Sequence, residues 1–309
     1  VYILNASDNT IGGLPQDESN FITRNGGGVI VTNQGSTNAI NNRIAANLIY
    51  SNLPNLNIDL GPRGPNANDA QDVDAGANGL QNKPFITNAV TSGGGLVYVQ
   101  GVLNSAPFTT YAIDVYRSGS TNAEAFRYIG RSYVGTDNNG NGEFIAGFPF
   151  TLAVGQYIAA TATDPDGNTS ELFATPTGAT AATMTDADND GIPTYWETLY
   201  GLNPAVSNGP ASDVDTDGFS DYEEYIADTA ANDGAKYPVI VDLAIATNRD
   251  VTFPSSNLRV YKLESNSEIA DNPAWTQIGG SVTGLYGQTT MADTNAPDWT
   301  MYRVGVRLP

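Results

Sequence analysis

The chain has 309 residues, of which 33 are acidic and 13 basic, giving a net charge of −20 and a pI near 4.1. That length calls for two or more domains, and a field of that sign repels nucleic acid and anionic membrane surfaces, so cations are the expected partners. Cysteine and histidine are both absent; this excludes thiol nucleophiles, Ser-His-Asp arrangements, disulfides, and zinc or haem sites built on those side chains, and leaves carboxylates, Lys or Arg bases and hard metals such as calcium.

Apolar residues make up 40% and charged residues only 15% of the chain, a balance that suits a folded protein whose surface is filled by Asn, Gly, Thr and Ser. The sequence holds no long apolar run and no basic-then-apolar leader, so neither membrane insertion nor a signal peptide is expected from it. Val1 stands where a start methionine would, and the chain is expected to be a processed product or a fragment.

Residues 1–62 carry a repeat. Asn20-Phe21-Ile22-Thr23-Arg24-Asn25 recurs as Asn47-Leu48-Ile49-Tyr50-Ser51-Asn52, a shift of 27 positions. Asn9-Thr10-Ile11 is matched to Asn38-Ala39-Ile40, a shift of 29, and Ile30 of Val29-Ile30-Val31 to Ile58, a shift of 28. Short apolar strands at a nearly constant period describe rungs of a parallel β-helix, with Ile and Val stacked inward and Asn at the corners. Val1-Tyr2-Ile3-Leu4 reads as the tail of an earlier rung. An open rung is a row of backbone donors and acceptors, so head-to-tail assembly of the chain with itself is one expectation.

Residues 63–95 read as a cap loop or linker, broken by Gly64-Pro65 and Gly93-Gly94-Gly95. Asp69, Asp72, Asp74 and Asn78 crowd this stretch; they either hold a third calcium ion or solvate the loop. Residues 96–178 alternate with period two, as in Tyr111, Ile113 and Val115, with further strands at Phe144–Leu152 and Gln156–Thr161 and turns at Asp137–Gly142 and Asp164–Asn168. This spacing suits an immunoglobulin-like sandwich.

The chemistry is concentrated in residues 184–236. Residues 186–197 read Asp-Ala-Asp-Asn-Asp-Gly-Ile-Pro-Thr-Tyr-Trp-Glu and residues 213–224 read Asp-Val-Asp-Thr-Asp-Gly-Phe-Ser-Asp-Tyr-Glu-Glu. Both fit D-x-[DN]-x-[DN]-G-x5-E. In such a loop three carboxylates surround one centre, the glycine permits a sharp turn, the seventh position offers a carbonyl, the ninth acts directly or through water, and the twelfth closes the cage. The first set is Asp186, Asp188, Asp190, the carbonyl of Ile192, Thr194 and Glu197. The second is Asp213, Asp215, Asp217, the carbonyl of Phe219, Asp221 and Glu224. Two Ca2+ ions are expected, each loop leading into a short helix, the first over 194–200 between Pro193 and Gly201.

Twelve acids against one lysine in this segment supply −11 of the total charge. At 4 Å and an effective dielectric near 20, each close pair of like charges repels by about 4 kcal/mol. Metal binding is therefore expected to be coupled to folding of the segment, with chelation loosening 184–236 and leaving both sandwiches folded. Residues 237–309, with strands at Val239–Ala246, Arg259–Glu264, Trp275–Ile278 and Tyr302–Val306, read as a second, small sandwich. Trp275 and Trp299 are expected in its core rather than on a sugar-stacking platform.

Residues 9–58, Gly79–Pro84, Leu103–Pro107, Asp137–Gly142 and Asp164–Glu171, in that order, resemble large secreted bacterial surface proteins in which right-handed parallel β-helix repeats precede an immunoglobulin-like domain. The acidic pair is similar to dockerin and thrombospondin type 3 repeats, and the end, with Tyr261–Glu264, Trp275 and Tyr302–Val304, to a small C-terminal β-sandwich. The resemblance implies a mainly β fold with an EF-hand-like calcium segment, an extracellular or cell-surface location, and a non-catalytic adhesive, structural or filament-forming role. Tyr195-Trp196 and Tyr222-Glu223 replace the small hydroxyl pairs that many dockerins use to bind cohesin. Two further readings stand beside it: the non-catalytic tail of a β-helix polysaccharide lyase or glycosidase, with Arg24, Arg43 and Arg63 as local bases, and a carbohydrate-binding module for extracellular glycans.

Overall fold

A computed structural model of the chain describes residues 1–14, 18–35, 39–91, 95–174, 177–181, 185–208, 211–237, 239–245, 248–256, 258–267, 274–284, 287–295 and 300–308. The fold is mainly β, with 21 strands and two α-helices among the described residues. It divides into two compact units, Val1–Ala181 and Ala182–Pro309.

The first unit opens with seven short strands: β1 (Tyr2–Leu4), β2 (Thr10–Gly12), β3 (Phe21–Thr23), β4 (Val29–Thr32), β5 (Arg43–Ala45), β6 (Leu48–Tyr50) and β7 (Ile58–Leu60). They pair only in parallel, as the stacks β1-β4-β7, β2-β5 and β3-β6. Ile22 faces Ile49, as the 27-residue repeat requires. The other two offsets need correction. Ile11 pairs with Ile44 and not Ile40, because Asn42, not Asn38, takes the corner below Asn9 (Asn9 Nδ2 to Asn42 Oδ1, 2.8 Å); Asn38 itself lies outside the described residues. Val29 pairs with Ile58 and Val31 with Leu60, placing Asp59 opposite Ile30. A one-residue slip exchanges the faces of a strand, so Val29, Val31, Ile58 and Leu60 point inward and Ile30 does not.

Asparagine carboxamides tie one level to the next. Asn47 Oδ1 accepts from the backbone N–H and side chain of Asn20, both at 3.0 Å, and its Nδ2 donates to Ile11 O at 2.7 Å. Asn52 does the same for Asn25 and Ile22 O. The lower edge of the stacks is covered from within the unit: Ile44 N–H donates to Thr169 Oγ1, Ala46 N–H to Tyr116 Oη, Leu60 N–H to Glu171 Oε1, and Ile49 exchanges two backbone bonds of 2.9 Å with Ala125.

The cover comes from a body of eight further strands and the connections between them: β8 (Phe85–Thr91), β9 (Val97–Asn104), β10 (Thr110–Ser118), β11 (Arg127–Gly135), β12 (Asn141–Phe148), β13 (Tyr157–Thr163), β14 (Phe173–Ala174) and β15 (Thr180–Ala181). They form two four-stranded sheets, β11-β10-β13-β14 and β12-β9-β8-β15. The stretch expected to be a linker thus contains a full strand, β8; Gly93 and Gly94 lie outside the described residues. Both faces of β10 are buried. Tyr111, Ile113 and Val115 fill one, while Tyr116 joins the stack residues Ile22, Ile44, Ile49 and Leu60 in one apolar cluster. Asp114, also buried, is held by a two-pronged pair with Arg131 at 2.8 Å and by Tyr128 Oη at 3.1 Å. Asp137 and Asp164 fold their own turns, each accepting backbone N–H groups two to four residues on.

The second unit holds α1 (Thr194–Tyr200), α2 (Asp221–Ala227), and β16 (Asp242–Ile245), β17 (Arg249–Ser255), β18 (Val260–Asn266), β19 (Thr276–Thr283), β20 (Gly287–Asp293) and β21 (Met301–Arg307). The strands form two antiparallel three-stranded sheets, β16-β17-β20 and β19-β18-β21, around Val251, Phe253, Tyr261, Leu263 and Met291. Strands β17 and β20 have no counterpart among the sequence expectations. The first contains Pro254 and Asp250 and the second is mostly polar, so neither shows strand composition. Trp275 is not in the core: it is only partly buried, and the Arg303 guanidinium lies over its ring at 4.6 Å. Trp299 and Ala246 lie outside the described residues.

Candidate metal centres

The two acidic loops adopt the same backbone course. In each, the fourth position is left-handed (Asn189 and Thr216, both φ 62°) and the sixth is a glycine with φ near 100° (Gly191 96°, Gly218 100°), a conformation that only glycine takes without strain. The first aspartate knits each turn. Asp186 accepts from Asp190 N–H at 3.2 Å and Gly191 N–H at 2.8 Å; Asp213 accepts from Thr216 N–H at 2.7 Å and Gly218 N–H at 3.0 Å. The Gly191 N–H holds the Asp186 carboxyl below its ordinary range.

These turns bring the carboxylates together. One oxygen each from Asp186, Asp188 and Asp190 lies within 4.8 Å of the others, and the same holds for Asp213, Asp215 and Asp217. Asp188 and Asp215 are pushed up, by burial first and by the neighbouring aspartate second. Ile192 and Phe219 follow the glycines, and their N–H groups bond to Asp190 Oδ1 and Asp217 Oδ1, both at 2.8 Å.

The helices deliver the remaining candidates. Helix α1 begins after Pro193 and ends on Gly201 in the left-handed region (φ 75°), the bounds the sequence suggests. Helix α2 begins with a capping box, Ser220 accepting from Glu223 N–H while the Glu223 carboxylate accepts from Ser220 N–H. One turn into each helix sits the twelfth loop residue. Glu197 and Glu224 are fully buried. Neither oxygen of Glu197, nor Oε2 of Glu224, has a hydrogen-bond partner among the described residues. Burial, reinforced by Asp188, Asp190 and Asp186, pushes Glu197 up to about 7; burial, reinforced by Asp215 and Asp217, pushes Glu224 up to about 8. Thr194 Oγ1 and Asp221 Oδ2, at the ninth positions, are likewise buried and without a partner among the described residues.

Unpartnered buried carboxylates cost several kcal/mol each unless a proton or a cation meets them. The donor set is all oxygen, which suits a hard divalent cation. The two loops also share a core: Trp196 of α1 meets Tyr225 of α2 edge-on at 5.5 Å, and the Tyr222 ring closes over Gly191.

The third acidic group is built differently. Asp69, Asp72 and Asp74 also converge within 4.8 Å, but Asp72 is engaged by protein donors: Asn82 N–H at 3.1 Å, Gln81 Nε2 at 2.6 Å and Ser105 Oγ. Burial lifts it to about 6 despite these bonds. Its role in the structure is to anchor the loop ahead of β8. Sequence reasoning missed Arg259 as a part of the acidic segment's surroundings; nothing in its spacing marks it, since it lies on the far side of two strands.

No family model matches the sequence, and no curated protein matches it. Among solved structures the chain is similar to a "Biofilm associated protein - BSP domain", with 14% identity over 74% of this chain and 49% of that one and a TM-score of 0.23. It is also similar to Astrotactin-2, described as a conserved vertebrate-specific and perforin-like membrane protein involved in neuronal development, with 10% identity over 70% and 48% and a TM-score of 0.20. The chain spans about half the length of each. Likeness at that level carries no argument about fold or function. No helix among the described residues is long and apolar enough to cross a membrane.

Proposed function

We propose that the chain is a non-catalytic, calcium-stabilised structural module of an extracellular or cell-surface protein. The observation that carries this reading is the pair of fully buried glutamates, Glu197 and Glu224, each near enough to a cluster of three aspartates to feel their charge, with three of their four carboxylate oxygens lacking a hydrogen-bond partner among the described residues. A calcium ion in each loop would be held by Asp186, Asp188, Asp190, Thr194, Glu197 and the Ile192 carbonyl, and by Asp213, Asp215, Asp217, Asp221, Glu224 and the Phe219 carbonyl. The ion would supply charge compensation and rigidity, and millimolar extracellular calcium saturates even weak loops. In this reading the parallel stacks of residues 1–60 are the last rungs of a β-helix, and the two-sheet body that covers them is an immunoglobulin-like cap. The edges of β1, β2 and β3 are the surface at which another chain would join.

The opposite edge of the stacks is bonded to Tyr116, Ala125, Thr169 and Glu171, which favours a head-to-head pair over the head-to-tail arrangement if the chain joins a second copy through the β1, β2 and β3 edges. The carbohydrate-module reading is disfavoured by Trp275, whose ring carries Arg303 where a sugar would stack. Calorimetric titration of metal-stripped protein with calcium tests the proposal. Two ions are expected per chain, one of them lost in E197Q and the other in E224Q; a chain that takes up no calcium would falsify it.

A further inference from the structure

The last three carbonyls of α2 are not left to solvent. Arg259, 3% exposed, donates from Nε to Ile226 O at 2.8 Å and from Nη2 to Tyr225 O, while Nη1 returns to Leu258 O at 3.1 Å. Tyr261 Oη reaches Ala227 O at 3.5 Å and accepts from Ser256 N–H at 2.9 Å. Asp228, which ends the helix in the left-handed region (φ 60°), is 3.5 Å from the Arg259 guanidinium through Oδ1 and accepts from Ser256 Oγ through Oδ2. The guanidinium also lies 5.5 Å over the ring of Tyr225. A helix this short leaves its terminal carbonyls to be satisfied from outside. Here the segment 256–261, which leads into β18 and the C-terminal core, satisfies them.

The same seven-residue helix carries Asp221 and Glu224 at its other end. It therefore cannot shift toward or away from the aspartate ring without disturbing Arg259, Tyr261 and Asp228. We propose that Arg259 is a positioning residue that couples cation occupancy of the second loop to the folding of the C-terminal sheets, so that the ion is a structural ligand of residues 249–266 as well as of its own loop. This rests on the calcium reading above and goes beyond it, and it replaces the expectation that chelation leaves the second sandwich untouched. The first loop meets the second helix through aromatic contacts. Its influence on the strands is expected to pass through Trp196 against Tyr225 and Tyr222 over Gly191, without a guanidinium fork of its own to Arg259.

Coupling of this kind is reciprocal: if calcium protects the sheets, loosening the latch weakens calcium binding by the same factor. The test is hydrogen exchange of the full 309-residue chain, metal-stripped and calcium-loaded, with calorimetric calcium titration of the same samples. In the unsubstituted chain, calcium is expected to slow exchange in β17 and β18 about tenfold or more as well as in 213–224. In R259Q, calcium still protects 213–224 but no longer β17 and β18, and the affinity of the second site falls about tenfold; R259K, which keeps the charge but not the fork, recovers only part of it. If R259Q does not fold, E224Q answers the same question with the latch intact: calcium at the remaining first site should leave β17 and β18 exchange essentially unchanged. Calcium that binds and protects both loops while exchange in β17 and β18 stays constant overturns the coupling and leaves the proposed function standing. Absence of calcium binding overturns both.

Discussion

Glu197 and Glu224 are buried where a lone carboxylate would not stay charged, and this sets how the calcium-free protein responds to pH. Their folded-state values, about 7 and about 8, lie above the ordinary 4.5, so the folded loops keep protons that the unfolded chain releases. The stability this confers is complete below the ordinary value and is lost as pH climbs through 7 and 8. Metal-stripped protein should therefore melt lower at pH 8 than at pH 5 in the 184–236 segment, followed by Trp196 fluorescence. Saturating calcium should abolish that loss, since a cation replaces the protons and binds better as they leave. E224Q should raise the pH 8 melting temperature of the stripped protein by about 3 °C, corresponding to about 1 kcal/mol, while removing one ion. A stripped protein more stable at pH 8 than at pH 5 would contradict the account.

At the scale of elements, the loops owe their shape to backbone positions. Gly191 has φ 96°, and a Cβ there would lie 2.9 Å from the Tyr222 ring, whereas at Gly218, with φ 100°, nothing lies within 4 Å. G191A should cost about 1–2 kcal/mol from backbone strain plus a displaced Tyr222, and weaken the first site more than G218A weakens the second; separate calcium titrations of the two variants check this. In the stacks, N52A removes the acceptor for Asn25 and the donors to Ile22 O and Asn57 Oδ1. It should lower stability by about 2–3 kcal/mol in a denaturant melt of unit 1. The loops were legible because carboxylate spacing is chemistry written directly in sequence. The stack register was less so. Asn38-Ala39-Ile40 and Asn42-Arg43-Ile44 both match Asn9-Thr10-Ile11, and only packing decides for the second, because the chain between strands varies in length while the Asn ladder does not. Asp59 was equally unreadable: a buried carboxylate next to Ile58 looks like a strand end, yet it sits opposite Ile30 with Gly64 N–H on Oδ1. Arg259 was legible as the start of a strand, which the structure begins at Val260, but its reach to α2 was not, since a latch across 34 residues leaves no periodic trace.

For the whole molecule, each of the two units has its own core, and charge is concentrated in one of them. The acidic segment belongs to the second unit, with α2 and its cap bonded to Ser256, Arg259 and Tyr261 at the entry to β18. In the first unit one edge of the parallel stacks is bonded to Tyr116, Ala125, Thr169 and Glu171 of the body that follows. Negative-stain microscopy in calcium should accordingly show monomers or closed pairs; long filaments would contradict the capped end. Native mass spectrometry of the full chain with calcium counts the ions that the two loops hold. Two ions are expected on the unsubstituted chain, one on E197Q or E224Q, and none at these loops in the double variant. An ion count that is zero, or the same in all four proteins, would contradict the calcium reading.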